Sequence, residues 1–177
     1  FSTEFEPARN PGNTVTFDTT NMILNNPVTG SGWAFMKLPI TLVGATIEVG
    51  LSEVSKDFAL ELSPTLDTTA ANGFYLNSTR LRAYVYDQLH LLHLEYVKSS
   101  VWEVNQPLSN ETPVPAKIRL RFTADSMFYD YFNQAWITAF AFRENWQGEW
   151  YLALTSVGKS GTTKVDYVRI TLPKEEY

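Results

Sequence analysis

Short runs in which apolar and polar residues alternate, separated by turn signals, constrain the fold of this chain more than any other feature. The runs Thr46–Leu51, Phe58–Leu62 and Lys117–Phe122 each place every second side chain on one face. A period of two is typical of a β-strand with one buried face, because successive side chains point to opposite sides of a sheet. Turn signals such as Asn72-Gly73 separate the runs, at intervals of about 10–14 residues. This spacing predicts an all-β sandwich or barrel.

The chain is expected to form one folded domain with a short extension at each end. Its 177 residues fit the usual size of one domain, and aromatic residues, which favour strands, make up 14%. We expect an extended arm over residues 1–13, a domain of about a dozen strands over 14–172 and a tail over 173–177. At most one short helix is expected, because Leu89–Val97 also fits helical spacing. Ala135–Arg143 is apolar on both faces and is predicted to be a central strand covered on both sides.

Composition and charge weaken several classes of function. The net charge of −5 provides no overall basic surface for nucleic acid, and the absence of cysteine excludes disulfides, iron–sulfur ligation and cysteine catalysis. No apolar run reaches the roughly 18 residues that a membrane span requires. The chain begins at Phe1 rather than at a methionine. Either a leader was removed or the chain is a fragment; we favour leader removal and expect an exported protein.

Three parts of the sequence carry a resemblance to a known superfamily. The first is a glycine–aromatic–aliphatic turn at Asn72–Leu76, followed by the extended run Leu81–Tyr86. The second is the basic–apolar strand Lys117–Phe122, which the tight turn Thr123–Ser126 joins to the aromatic strand Met127–Tyr131. The third is the closing strand Lys164–Ile170. Their order resembles the concanavalin A-like lectin/glucanase superfamily (the LamG-like jelly rolls) over residues 14–172. The resemblance implies a two-sheet antiparallel jelly-roll sandwich that serves in carbohydrate recognition, adhesion or particle surfaces.

No catalytic motif is evident, and we expect that the chain is not an enzyme. Hydrolases of this superfamily carry Glu-x-Asp-x-(x)-Glu on one strand, where alternation gathers the carboxylates. That string is absent, and neither Glu53–Asp57 nor Glu144–Glu149 reproduces it. Polysaccharide lyases of this fold use a histidine and a tyrosine with an arginine and a glutamine. Residues of those types cluster here in an order that does not match the lyases, namely Arg82, Tyr86, Gln88 and His90.

No cofactor is predicted. His90 and His93 are three residues apart, so on a strand they point to opposite faces and cannot share a metal ion. No Asp-rich calcium loop occurs, although a structural calcium ion held by backbone oxygens would leave no signal in the sequence. Gly158-Lys159-Ser160 resembles the end of a phosphate-binding loop, but Ala153 stands where the first glycine should be. We interpret it as a hairpin turn.

Aromatic side chains beside amides form the predicted ligand-binding site. An aromatic ring stacks on the apolar C–H face of a sugar, while amides and carboxylates bond the sugar hydroxyls. The residues predicted to bind sugar in this way are Asn145, Trp146, Gln147, Trp150 and Tyr151, with Tyr129 and Tyr131 beside them. The alternative is that Trp136 and Trp150 belong to the core and that Trp146 is a loop lid. Trp33 and Trp102 are assigned to core or edge packing.

Two further features concern the surface. Lys117, Arg119 and Arg121 form a basic row on one sheet face, which is either plainly solvated or meets an anionic polymer or an acidic neighbour. The tripeptides that begin at Asn77 and Asn110 match the N-glycosylation pattern, which serves as an acceptor in exported chains. In an exported chain we expect glycans at these two asparagines.

Three functions from different classes are compatible with the sequence. The first is a non-catalytic carbohydrate-binding or adhesive module at an extracellular, cell or virion surface. The second is a structural subunit of an extracellular filament, sheath or virion, assembled through the N-terminal arm. The third, ranked well below, is a polysaccharide-active enzyme. The expected partners are therefore carbohydrate or neighbouring copies of the chain, with no nucleic acid.

Overall fold

Fifteen β-strands form the regular structure of the part of the chain that is described, and none of that part is helical. The structure is a computed structural model that describes residues 3–8, 14–18, 20–26, 31–54, 57–86, 91–110, 114–157 and 161–173. In chain order the strands are β1 (Phe5–Pro7), β2 (Thr14–Phe17), β3 (Met22–Asn26), β4 (Gly32–Met36), β5 (Ile40–Thr41), β6 (Thr46–Val54), β7 (Asp57–Ser63), β8 (Arg80–Tyr86), β9 (Leu91–Lys98), β10 (Val101–Asn110), β11 (Lys117–Phe122), β12 (Ser126–Asn133), β13 (Ala135–Arg143), β14 (Glu149–Val157) and β15 (Gly161–Thr171).

The strands form two antiparallel sheets that pack face to face. The eight-stranded sheet has the order β1-β4-β14-β7-β8-β9-β10, with β5 paired to β14. The seven-stranded sheet has the order β13-β12-β11-β6-β15-β3-β2. The predicted two-sheet antiparallel sandwich is therefore confirmed. Leu91–Val97, the described part of the segment that also fits helical spacing, lies in strand β9, because β8 and β10 pair with its backbone on both sides.

The side chains that alternation places on one face of each strand meet between the sheets as the core. In β11, Ile118, Leu120 and Phe122 are buried and the intervening cations are half-exposed. In β6 of the same sheet, Ile47 and Val49 are buried in the same way. Burial of each large apolar side chain contributes about 1.5–3 kcal/mol, so the contact between the sheets is the main source of stability.

A second, smaller apolar cluster lies on the outer face of the eight-stranded sheet. Trp33, Phe35 and Ala153, from β4 and β14, pack with Phe74, which the loop of residues 64–79 carries across the sheet. The Trp33 indole also donates a hydrogen bond of 3.0 Å to a carbonyl of this loop. Because the loop covers this face, β7 and β8 are buried on both sides. Their outward polar side chains must therefore find partners inside the protein.

Strand β13 lies at the edge of the seven-stranded sheet, so the prediction of a central strand over Ala135–Arg143 is wrong. A β-bulge makes Ala139 an extra residue opposite β12. Before the bulge, even-numbered residues such as Trp136 face outwards. Beyond the bulge, the even-numbered Phe142 packs against the core instead. Both sets of alternate residues in this strand are apolar because the bulge moves the core-facing side chains from odd to even positions part-way along.

The first described residues belong to the same sandwich. Phe5–Pro7 form β1, which pairs with β4, and the Phe5 side chain is buried in the core. This part of the predicted arm is extended and pairs with the chain's own sheet. Residues 1–2 and 9–13 of the arm and 174–177 of the tail lie outside the described residues, so the domain boundaries stay a prediction. Among the described ranges, no helix has the length and apolarity to cross a membrane.

Candidate functional site

Trp146 and Trp150, two of the predicted sugar-binding residues, lie in the core. The ring of Trp146 is 5.2 Å from that of Phe122, 5.5 Å from that of Phe142 and 5.7 Å from that of Trp150, measured between centroids. The loop between β13 and β14 crosses from one sheet to the other, and the indole of Trp146 fills the space between them. Core packing therefore replaces sugar stacking for these two residues, because their rings are not open to a ligand.

The other predicted sugar-binding residues are divided between core and surface. Tyr129 and Tyr131 are buried, and the Tyr129 hydroxyl donates at 2.8 Å to a carbonyl oxygen of β8 in the opposite sheet. Tyr151 is half-buried against the second apolar cluster. Asn145 and Gln147 are exposed on the loop between β13 and β14. The structure does not bring these residues together, and sugar contact by the two exposed amides stays a prediction.

The two predicted glycosylation sites differ in their surroundings. The side-chain Nδ2 of Asn77 donates to the Ser63 hydroxyl and to the Thr65 carbonyl, both at 2.9 Å. A glycan on this nitrogen would replace one of its N–H groups, so glycosylation there requires the loop to lose part of this bonding. Asn110 ends β10, and its side chain lies outside the described residues. Glycosylation at both positions stays a prediction.

Of the residues predicted as candidates for catalysis or metal binding, Tyr86 and His93 are in ring contact at 5.8 Å between centroids, and the others that the structure describes do not join them in a catalytic or metal-binding arrangement. His93 lies on β9, where its Nε2 shares a hydrogen bond of 2.8 Å with Asn105 Oδ1, and His90 lies outside the described residues. Glu144 forms an ion pair of 3.0 Å with Lys98. Within the described ranges, no three His, Cys, Asp or Glu side chains are grouped so that they could hold a metal ion.

Two half-exposed aromatic side chains stand together on the outer face of the eight-stranded sheet. Tyr75 is 45% exposed and Trp102 is 49% exposed. The guanidinium carbon of Arg80 lies 5.4 Å from the ring centroid of Tyr75 and 5.2 Å from that of Trp102. Cation–π attraction therefore connects the two rings through one arginine. These three residues form a surface that we call the aromatic patch.

Strand register places two members of the aromatic patch side by side. Arg80 in β8 and Trp102 in β10 both pair with Val97 of the intervening β9, so the three side chains share one face. The Arg80 guanidinium also donates at 2.8 Å to the Asn77 carbonyl. The turn Ser99-Ser100, with positive φ at both residues, joins β9 to β10 and sets Trp102 at the start of its strand.

A buried ion pair holds the loop that carries Tyr75. Arg82 Nη2 donates to Glu61 Oε1 at 2.9 Å, and Glu61 Oε2 accepts the backbone N–H of Phe74 at 2.6 Å. Both charged side chains are buried, so the contacts are shielded from water. The guanidinium carbon of Arg82 also lies 5.3 Å from the Tyr75 ring centroid. The pair therefore fastens the loop of residues 64–79 to β7 and β8 and fixes the position of Tyr75.

Gly73 lies where this loop passes closest to the ion pair. Its φ is +60°, and a Cβ atom there would be 2.6 Å from Thr155 Oγ1 and 2.7 Å from both carboxylate oxygens of Glu61. Glycine is required because other residues fit neither the space nor the left-handed backbone. The turn signal at Asn72-Gly73 therefore marks a close approach of backbone to a buried carboxylate, and residues 73–76 form a turn.

The aromatic patch can contact a flat apolar ligand surface while polar groups beside it bond hydroxyls. Ser78 and Ser100, which a backbone hydrogen bond joins, and the adjacent Ser99 are exposed next to it. The sequence pattern assigned Trp102 to packing, whereas the structure leaves half of its surface open. A turn shortly before Trp102 and polar residues after it are typical of an edge strand with an open outer face, but polar residues also follow the buried Trp146, so this signal does not identify the site by itself.

Two surface cavities beside β1 offer less to a sugar than the aromatic patch. Their volumes are about 430 and 450 Å³. The aromatic side chains that line them are Phe5 and Phe35, which are buried, and Tyr167, which is half-buried and donates its hydroxyl to Glu48. An aromatic surface open to solvent is therefore better developed at the aromatic patch.

Comparisons with known proteins find similarity in structure rather than in sequence. No protein-family model matches the chain, and no curated protein matches it. The structure is similar to the carbohydrate binding module CBM66 from Bacillus subtilis, with a TM-score of 0.63 and 10% identity over 94% of each chain. It is similar to a legume lectin-like domain from Entamoeba histolytica, with a TM-score of 0.70 and 8% identity over 98% of this chain and 92% of that one. It is also similar to the Ca²⁺/Man3GlcNAc-bound exoplasmic/lumenal domain of VIP36, with a TM-score of 0.69 and 10% identity over 98% of this chain and 85% of that one.

The chain has a concanavalin A-like jelly-roll fold. The resemblance expected over residues 14–172 is thus confirmed at the level of fold. Identities of 8–10% do not transfer a binding site, because this fold carries unrelated functions on different surfaces. The function must therefore be argued from this chain's own side chains.

We predict that Trp146→Ala lowers the free energy of unfolding by about 3–5 kcal/mol, because it leaves a cavity in an aromatic core. The measurement is urea denaturation at neutral pH, followed by circular dichroism. Trp102→Ala is the matched control, since it removes the same ring from a half-exposed position, and it should cost less than about 1 kcal/mol. Equal losses in the two variants would contradict this assignment of Trp146 to the core.

We predict that Glu61→Gln lowers the free energy of unfolding by up to about 3–5 kcal/mol, because it removes the nearer of the two carboxylates that neutralise buried Arg82 and leaves only Glu95, at 3.9 Å. The double variant Glu61→Leu/Arg82→Met should recover part of this loss, since it removes both buried charges. Glu6→Gln is the control, because the Glu6 side chain is 54% exposed and lies 4.0 Å from Lys37. Its expected effect is within about 0.5 kcal/mol. A Glu61→Gln variant as stable as the control would show that the pair does not hold the loop.

Proposed function

We propose that this chain is a non-catalytic carbohydrate-binding module that binds sugar at the aromatic patch. The observation that carries the proposal is that Tyr75 and Trp102 are half-exposed on either side of Arg80. Exposed aromatic rings that are fixed in position lose little entropy on binding. The two rings therefore provide a preformed surface for the apolar face of a sugar.

The chemistry of the aromatic patch suits a neutral saccharide. The rings supply apolar area, and the exposed serines beside them, Ser78, Ser99 and Ser100, supply hydrogen-bond partners for sugar hydroxyls. Arg80 is engaged by the two rings and by the Asn77 carbonyl, which leaves it as a support for the rings. Recognition would thus rest on stacking, with hydrogen bonds at the edge that fix orientation.

The fold neighbours support this class of function. One is the carbohydrate binding module CBM66, one is a legume lectin-like domain, and the VIP36 domain was solved with Man3GlcNAc bound. Each of these similarities spans nearly the whole of the present chain. They favour a carbohydrate ligand over the alternatives of a filament subunit or an enzyme. An extracellular or particle-surface location, with glycans at Asn77 and Asn110, is part of the proposal.

We predict that Trp102→Ala and Tyr75→Ala each weaken sugar binding by at least about tenfold, which corresponds to about 1.4 kcal/mol. The measurement is a glycan array that includes neutral oligosaccharides of mannose and other sugars, followed by calorimetry on the best ligand. Trp102→Phe should retain part of the affinity because it keeps a ring. Leu38→Ala, which alters an exposed apolar residue away from the aromatic patch, should bind like the wild type.

Two results would count against the aromatic patch. If both alanine variants bind like the wild type while Asn145→Ala and Gln147→Ala lose binding, the site lies on the loop between β13 and β14. If the wild-type chain binds no glycan at millimolar concentration, the carbohydrate-binding proposal itself fails.

A further inference from the structure

A second surface combines cations and aromatic rings on the outer face of the seven-stranded sheet. Alternation along β11 places Lys117, Arg119 and Arg121 there. Arg169 of β15 joins them, because Arg169 and Arg119 pair with the same residue, Glu48, of the intervening β6. We call Lys117, Arg119, Arg121 and Arg169 the cationic face. It is the basic row expected from the sequence, extended by one arginine that strand order brings alongside.

The cations of this face reach solvent, whereas its carboxylates lie beneath them. The side chains of Arg119, Arg121 and Arg169 are 22%, 36% and 66% exposed, but those of Asp130 and Glu48 are 1% and 14% exposed. Burial raises the pKa of Asp130, but hydrogen bonds from both arginines of β11 lower it by more, so the carboxylate is ionised at neutral pH. Four cations and two carboxylates leave a net charge of +2 here, on a chain with a net charge of −5.

Aromatic rings hold the four cationic side chains in place. The distances from the cation to the ring centroid are 4.1 Å for Arg119 and Trp136, 4.6 Å for Arg121 and Phe128, 4.8 Å for Lys117 and Phe132, and 5.2 Å for Arg169 and Tyr167. Asp130 also accepts a hydrogen bond of 2.6 Å from the Nε of Arg119 and of Arg121. Less side-chain entropy is lost when cations held in this way meet a ligand.

The hydrogen bonds of Arg119 leave part of its guanidinium group available. Its Nε is used by Asp130, and its two Nη groups make no hydrogen bond within the part of the chain that is described. Free Nη groups can bond the oxygens of a carboxylate or sulfate, for which the planar guanidinium has matching geometry. The cationic face therefore has both the charge and the donors that an oxyanion requires.

We propose that the cationic face binds the carboxylate or sulfate groups of an acidic polysaccharide. Alternate residues of a strand are about 6.6–6.8 Å apart, so the three cations of β11 meet charges spread along an extended polymer. Arg169 lies two strands away and widens the surface across the sheet. The local positive charge also raises the rate of encounter with a polyanion, although the whole chain is acidic.

An acidic polysaccharide fits this face better than a nucleic acid does. Double-stranded DNA carries one charge for about every 1.7 Å of its axis, and binding it relies on many phosphate contacts. The cationic face offers four cations, and the remainder of an acidic chain would repel so dense a polyanion. A polysaccharide with one charge on each sugar, or on every second sugar, has a wider spacing of charges and matches the strand better.

The cationic face and the aromatic patch lie on different sheets and share no residue. Binding at one can therefore be removed without altering the other. The test uses the Trp102→Ala variant as background, so that sugar bound at the aromatic patch does not contribute to the signal.

The experiment measures binding to polygalacturonate, dextran sulfate, dextran and a short DNA duplex by calorimetry. We expect binding to one or both acidic polysaccharides but not to dextran. The affinity should fall between about 0.1 M and about 1 M NaCl, because the screening length shortens from about 10 Å to about 3 Å. Carboxylate and sulfate are distinguished by which of the two acidic polymers binds more tightly.

The decisive variant is Lys117→Gln/Arg169→Gln, which changes cations that do not bond Asp130. It should weaken binding to the acidic polymer by about tenfold or more, since one hydrogen bond to a charged group contributes at least that factor. Lys37→Gln/Lys98→Gln is the matched control, because it removes the same two charges from the other sheet. Thermal unfolding of all variants checks that the fold is retained.

The proposal is overturned by any of three results. They are no binding of either acidic polymer, equal losses in the test variant and the matched control, or binding of DNA as tight as that of the acidic polysaccharides. Loss of neutral-sugar binding in Trp102→Ala, with acidic-polymer binding intact, would support two separate sites.

Discussion

The buried ion pair between Glu61 and Arg82 joins β7 to β8 in the eight-stranded sheet and holds the loop of residues 64–79 that covers them. Two charges removed from water carry a large desolvation cost, which is offset when they bond each other and their neighbours. Here the carboxylate accepts both the guanidinium and the Phe74 N–H, so one side chain of β7 fixes a neighbouring strand and a loop. The pair contributes less to total stability than to the choice of one loop position.

The position of that loop determines what the surface offers. With the loop fastened, Phe74 closes the second apolar cluster and Tyr75 stands beside Arg80 and Trp102. Without the pair, the polar outer faces of β7 and β8 would be open to water and the aromatic patch would lose one of its two rings. A buried electrostatic contact thus supports an exposed recognition surface.

The two sheets use the same pairing of arginine with aromatic rings in opposite ways. On the eight-stranded sheet, Arg80 supports rings that remain half-exposed, so the surface is apolar. On the seven-stranded sheet, rings such as Trp136 support cations that remain exposed, so the surface is positively charged. The difference follows from which partner stands nearer the solvent. One fold thereby presents two surfaces of different chemistry.

Much of the fold could be predicted from the sequence, whereas the sites could not. Strict alternation in β6 and β11 predicted one buried face for each strand, and this is local information that a two-residue period carries. In β7 alternation identified the core face, but the opposite face, with Ala59 and Glu61, is buried as well because the loop of residues 64–79 covers it. Alternation failed at β13, where a single extra residue, Ala139, exchanges the faces of the strand. The aromatic residues were equally ambiguous, because a tryptophan beside a turn serves either the core or the surface. Trp146 is core and Trp102 is surface, and their local sequences do not separate them.

The sequence by itself determined the all-β class, the turn at Asn72-Gly73 and the basic row of β11. These depend on neighbours in the chain, through side-chain period and backbone conformation. Tertiary structure alone decided the strand order, the burial of Trp146, the pairing of Glu61 with Arg82 and the approach of Tyr75 to Trp102. The physical reason is that each of these contacts joins residues far apart in the chain. Such a contact stabilises the protein only once the sheets have formed and brought those residues together.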